Sequence, residues 1–330
     1  MTTWDRTSTS TRRFIRLNDR CVHMTDPDHV SADEFLRLYH EVRAWAPPGD
    51  GNRIGALRHL TPERIAAAGT LVRTGIPVSL GRKLDTHPGP ENPSPAEFRT
   101  TVPPQSDGGG ASFSKDYVGV DYHNDTHSHV DALNHVVYDG LLYGGTPVSA
   151  SAEDGVALTI EVLRHGLVGR GVLLDVPRVR GVRWLEPGQS VITDDLLAAE
   201  HAQGVRVQPG DILLIRTGHD LRIDELPPFD PANAKPGLHP WVARFLAERQ
   251  VAALGSDGNS DTAPPVVQGL GYPIHVLAIN ALGIHLLDYL SLADLVAQCE
   301  ATARWDFLFV AAPLRIPDGT GSPVNPIAIF

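Results

Sequence analysis

The chain has 330 residues, 42% of them hydrophobic and 20% charged, with a formal net charge of −11. That size fits one large α/β domain with arms, or two domains. The acidic balance argues against nucleic acid or an anionic membrane as partner. Two cysteines, Cys21 and Cys299, are too few for a disulfide framework or a thiolate zinc finger, and a cytoplasmic protein with reduced thiols is expected.

Residues 1–30 read as an arm, with a Ser/Thr/Arg-rich start but no apolar segment of the secretory type. No run of about 18 apolar residues predicts a transmembrane helix. Residues 31–45 read as a helix: Ser31 and Glu34 form a capping-box pattern, and Phe35, Leu36, Tyr39, Val42 and Trp45 fall at helical spacing. Residues 61–75 read the same way, with Thr61 as N-cap, Pro62 at the first helical position and Gly75 past the end. An alternating strand is expected over 76–85. The Pro/Gly-rich stretch 86–110 is expected to be a long lid or binding loop.

Beyond residue 168, strands are expected at 169–179 and 209–219, helices at 192–207 and 291–305, and a helix followed by a short apolar strand over 238–258. The last 25 residues read as strands around a glycine loop. This alternation indicates an α/β fold. There is no repeat and no low-complexity linker, so the division expected is a partly helical N-terminal arm, 1–74, on one domain, 75–330.

Residues 121–136, DYHNDTHSHVDALNHV, concentrate four histidines and three aspartates in sixteen positions. On a strand, residues two apart share a face, so His129 converges with Asp131, and His127 with Asp125. Imidazole with carboxylate is a ligand set for zinc or manganese. His135, four beyond Asp131, is placed for proton transfer beside such an ion rather than for binding it. Thr126 and Ser128 are candidates to hydrogen-bond the ligands. Asp257 and Asp261, which follow an apolar strand, and His275, His285 and Asp288 are candidate ligands from elsewhere in the chain. Asp257 reads equally well as a loop cap, and His285, between Ile284 and Leu286, as a core residue.

The segment 125–135, DTHSHVDALNH, resembles the second half of the signature H-x-G-T-H-x-D-x-P-x-H of the metal-dependent cyclase-like hydrolases, a family that includes bacterial kynurenine formamidase and isatin hydrolase. SLGRKL, GDILLIRTG, VAALGSDG, GIHLLDYLSLADL and APLRIPDGTGSPVNPIAI extend the resemblance over about residues 75–330. It implies a swivelling β/β/α-type fold, a homodimer or homotetramer, and one or two divalent ions, Zn or Mn, per chain. The implied ligands are Asp125 (in place of the first signature histidine), His129, Asp131, His275 and Asp288 (in place of a late glutamate), with His135 as catalytic residue. His127 falls on the signature glycine; it and His123 are further candidates for metal or substrate, as is Asp257. Trp45 and Phe98 are candidate pocket walls, on the arm and the 86–110 loop.

The activity implied is hydrolysis of an amide, lactone or ester of a small, cyclic or aromatic substrate by water that the metal activates. Two other readings stand beside it. One is a metal-dependent cyclase or dehydratase acting on a carbonyl intermediate. The other is a metal-binding protein without catalysis.

Overall fold

The computed structural model describes residues 29–45, 53–102, 110–148, 158–227 and 229–330. Most of the expected arm, Cys21 and part of the 86–110 loop lie outside the described residues.

Thirteen strands are described: β1 Pro77–Ser79, β2 Glu97–Thr101, β3 Lys115–Gly119, β4 His129–Asp131, β5 Leu167–Asp175, β6 Ser190–Val191, β7 Ile212–Arg216, β8 Gly237–Leu238, β9 Ala253–Ser256, β10 His285–Asp288, β11 Asp306–Ala311, β12 Gly321–Pro323 and β13 Ile327–Ile329. Nine of them form one sheet in the order β1-β13-β11-β5-β7-β9-β10-β4-β12. Its centre, β5-β7-β9-β10, is parallel, and its flanks are antiparallel. The central strands read as continuous apolar runs because both faces are covered. One face packs on the helices Ala32–Trp45, Thr193–Gln203 and Val242–Glu248 and on the π-helical turns Val276–Leu282. The other covers Leu295 and Cys299 of helix Ala293–Thr302, with Phe307, Phe309 and Phe330.

The capping box at 31–34 forms: Ser31 N–H donates to Glu34 Oε2 at 3.0 Å, and Glu34 N–H donates to Ser31 Oγ at 3.3 Å. Phe35, Leu38, Tyr39 and Val42 of that helix are buried in the core. The helix expected over 61–75 runs only Pro62–Gly69. Glycine is a poor helix residue, and the chain turns after it so that the Thr74 and Gly75 amides donate to the Phe330 carbonyl at 3.0 and 2.7 Å. The strand expected over 76–85 is cut to β1, because the chain leaves β13 after Ser79 and bridges from Gly81 to Leu290. The expected loop 86–110 contains β2, which pairs with β3 in an exposed two-stranded ribbon. Among the described residues no helix is long and apolar enough to cross a membrane.

Candidate metal centre

β4 lies antiparallel between β10 and β12, with His129 directly opposite Asp288. Opposed residues share a face, so this register sets His129, Asp131 and Asp288 side by side. Gly321 of β12 faces Asp131 across the ladder. A Cβ at Gly321 would lie 2.7 Å from Cε1 of His123, so the glycine makes room for that ring.

Asp131 is fully buried, and among the described residues none makes a well-formed hydrogen bond to either of its oxygens. Four imidazoles surround it instead. His123 Nδ1 and His129 Nε2 lie 3.0 and 3.5 Å from Oδ1, and His275 Nε2 and His135 Nε2 lie 3.5 and 3.9 Å from Oδ2. His275 Nε2 is also 3.3 Å from Asp288 Oδ2. Two groups of potential ligands result, His123–Asp131–His135 and His129–Asp131–Asp288, which share Asp131.

Outer partners fix the rings. His129 donates Nδ1–H to the His127 carbonyl at 2.7 Å, and His275 donates Nδ1–H to Asp261 Oδ2 at 2.6 Å. The neutral tautomer of each ring therefore turns a bare Nε2 lone pair toward buried carboxylates. His123 Nε2 meets Thr320 Oγ1 at 3.0 Å, and the His123 and His135 rings stack with centroids 4.0 Å apart. Lone pairs facing lone pairs inside a protein are costly unless something positive lies between them.

The titration behaviour of the metal-free chain reflects this. Burial alone would lower His275, but Asp131, Asp261 and Asp288 outweigh it and hold the imidazole well above its ordinary range. Burial alone would raise Asp131, but His123, His275, His129 and His135 outweigh it and hold the carboxyl well below. Burial raises Asp288, against His275. A proton on His275 thus stands where a cation would. Imidazole nitrogens and orphaned carboxylate oxygens of this kind fit a divalent metal ion.

The cluster opens into a cavity of about 390 Å³, within the range of small-molecule sites, lined by His123, Asp125, His129, His135, Asn259, Tyr272, His275 and Asp288 among others. His135 faces it; burial, reinforced by the neighbouring histidines and only partly offset by Asp131, pushes its pKa down to about 4.

The other expected residues fall elsewhere. Asp125 lies outside both ligand groups; its Oδ1 accepts from Lys235 Nζ at 2.6 Å. His123 instead comes to Asp131. His127 is buried away from the cavity, and burial lowers its pKa. Asp257 caps the turn after β7, accepting from the amides of Thr217, Gly218 and His219 at 2.6–2.9 Å. Thr126 and Ser128 bind backbone carbonyls of Glu91 and Tyr289 rather than the ligands. Neither Trp45, 48% exposed at a helix end, nor Phe98, 55% exposed on the β2–β3 ribbon, lines the cavity, and no residue of 29–45 or 86–102 does. His285 sits in the core, and neither ring nitrogen has a hydrogen-bond partner among the described residues. Lys235, Asn259 and Tyr289, which hold Asp125, stand outside the sequence pattern: nothing around them signals that a lysine is buried against an aspartate.

Comparison with known proteins places this architecture. An isatin hydrolase of Roseibium aggregatum is 27% identical over 144 residues, 42% of this chain and 52% of that protein, so the match spans about half of that relative. A solved structure described as a novel cyclase aligns with a TM-score of 0.77 at 31% identity, over 87% of this chain and 99% of that one. Isatin hydrolase A from Ralstonia solanacearum aligns at 0.54 and 22% identity, over 82% and 98%, a likeness of fold alone. The curled mixed α/β sheet shared with these structures is the architecture that the resemblance implies. Residues 40–261 match the family described as "Putative cyclase". The chain belongs to the cyclase family.

Proposed function

We propose that this protein is a metal-dependent hydrolase that opens an amide, lactone or ester bond of a small, cyclic or aromatic substrate. One observation carries the reading: a fully buried aspartate, Asp131, with both oxygens free of well-formed hydrogen bonds from the described residues and four imidazole nitrogens turned toward them. His129, Asp131, His275 and Asp288, with His123 in the place that the signature gives to residue 125, would hold one or two ions, Zn or Mn. Such an ion supplies Lewis acidity, bringing the pKa of water from about 15.7 toward 7 and polarising a carbonyl.

His135 supplies the proton chemistry. Its ring lines the cavity with Nε2 3.9 Å from Asp131 Oδ2, a position from which an imidazole takes the proton of the attacking water and returns it to the leaving nitrogen or oxygen. The stack on His123 holds the ring in place for this. Asp261, through Nδ1–H, keeps His275 in the tautomer that presents Nε2.

The test separates ligand from base. His129→Ala loses metal and activity together. His135→Ala keeps its metal and loses turnover by on the order of 10²–10⁴-fold. Loss of metal from His135→Ala would make His135 a ligand, as its membership of the His123–Asp131–His135 group allows. A second reading, ring closure or dehydration, draws on the relative described as a novel cyclase. Labelled oxygen from water entering the product supports hydrolysis, and its absence at full turnover supports the second reading.

A further inference from the structure

Asp125 stands where the family signature has a histidine, yet it belongs to a different network. It lines the cavity, and the hydrogen bonds it accepts from the described residues converge on one of its oxygens. Oδ1 accepts from Lys235 Nζ at 2.6 Å and from Asn259 Nδ2 at 3.3 Å, and the Tyr289 hydroxyl donates to the same atom. Three donors on one oxygen fix the plane of the carboxylate. Among the described residues no hydrogen bond reaches Oδ2.

The surroundings show that this arrangement is built. Lys235 is 1% exposed and has Asp125 as its ion partner, a desolvated pair that is costly to assemble. Tyr289 directly follows Asp288, and adjacent strand residues point to opposite faces. At φ 54° Tyr289 adopts the left-handed conformation that non-glycine residues rarely take. The chain is held there by Tyr289 N–H on the Gly258 carbonyl at 2.9 Å and by Ser128 Oγ on the Tyr289 carbonyl at 2.6 Å. The break in alternation lets Asp288 serve the cluster around Asp131 while the Tyr289 hydroxyl reaches Asp125.

We propose that Asp125 is the specificity residue of the cavity: its Oδ2 accepts a hydrogen bond from an N–H or O–H group that the substrate carries beside the reacting carbonyl. This rests on the reading of the cavity as the substrate site. It narrows the substrate class to carbonyl compounds with a donor at that place, such as an amide or ring amide with a free N–H, or a hydroxy-carbonyl compound. N-alkylated amides and plain esters are disfavoured. A fixed carboxylate is a strong acceptor. A ligand without the donor would strip Oδ2 of water and leave it unpaired, which is how buried polar groups reject near-isosteres.

The experiment measures binding of benzohydroxamic acid and its N-methyl analogue to the metal-loaded protein by calorimetry. Both present two oxygens to a cation, and only the first carries an N–H. The parent should bind the N–H form more tightly, on the order of tenfold to a hundredfold. The double variant Asp125→Leu/Lys235→Met removes the carboxylate together with the charge it balances, and should bring the ratio to within about twofold at unchanged metal content. Asp125→Asn is the second arm: the donors of Lys235 and Tyr289 hold its carbonyl at the Oδ1 position, which turns its NH₂ to the cavity and removes the preference. Equal binding by the parent, the same ratio in the folded variants, or no binding of either compound overturns the proposal. Turnover is scored separately. An Asp125-dependent ratio without hydrolysis of any amide, lactone or ester would sink the hydrolase reading and leave the acceptor role standing.

Discussion

Asp261→Asn is a sharp test of how the ligands are presented. Asp261 is buried, accepts the Ile274 amide on Oδ1 at 2.6 Å, and accepts Nδ1–H of His275 on Oδ2 at 2.6 Å. Asparagine has a single acceptor oxygen. If it stays on the Ile274 amide, the new NH₂ faces Nδ1 of His275, and two donors meet. The imidazole relieves this by moving its hydrogen to Nε2. That atom faces Asp131 and Asp288 at 3.5 and 3.3 Å, so the lone pair needed for a cation is lost. Outer partners of metal-bound histidines are worth about 10–100-fold in affinity, or about 1.4–2.7 kcal/mol. Competition with a chromogenic chelator at fixed pH measures the shift, and near-ultraviolet circular dichroism checks the fold. An affinity within about twofold of the parent, in a folded variant, would refute the tautomer argument and the role of His275 with it.

Two further perturbations test the fold around the site. Gly171 pairs with Phe307 across β5 and β11, and a Cβ there would lie 2.2 Å from the Phe307 ring. Gly171→Ala should therefore lower unfolding free energy in urea by about 1–3 kcal/mol, and an unchanged midpoint would contradict the packing described. Burial holds His285 down to about 4 against an ordinary 6.5. Between these values the unfolded chain binds more protons than the folded one, so this stability is present above 6.5 and is lost as pH falls toward 4. In metal-free protein His285→Phe should shrink the stability difference between pH 7 and pH 5 by about 2 kcal/mol, and an unaltered difference would contradict it.

Part of the centre is legible in the sequence. His129 and Asp131 lie two apart on a strand, and their shared face follows from strand geometry alone. The same rule fails for Asp125 and His127 because residues 121–128 form no strand. Asn124 takes the chain out of extended geometry: its Oδ1 accepts the amides of Thr126 and His127 at 2.9 and 3.1 Å, a local turn that competes with strand pairing. His123 then reaches Asp131, while Asp125 turns to Lys235. The parallel centre of the sheet is legible from its apolar runs. The β2–β3 ribbon is not, because Pro/Gly-rich flanks mask a short exposed strand. The burial of Lys235 depends on a partner 110 residues away, beyond any local pattern.

The claim on which the rest depends is that the cluster around Asp131 holds a divalent cation. Titration of chelator-stripped protein with Mn²⁺ or Zn²⁺, read by calorimetry and by elemental analysis after gel filtration, tests it most directly. Asp131 belongs to both ligand groups, so one variant, Asp131→Ala, removes the shared ligand. The expected result is uptake of about one or two ions per parent chain, a rise in thermal midpoint on loading, and no stoichiometric uptake by folded Asp131→Ala. A parent that takes up no ion, or an Asp131→Ala variant that takes up the same number, would contradict it.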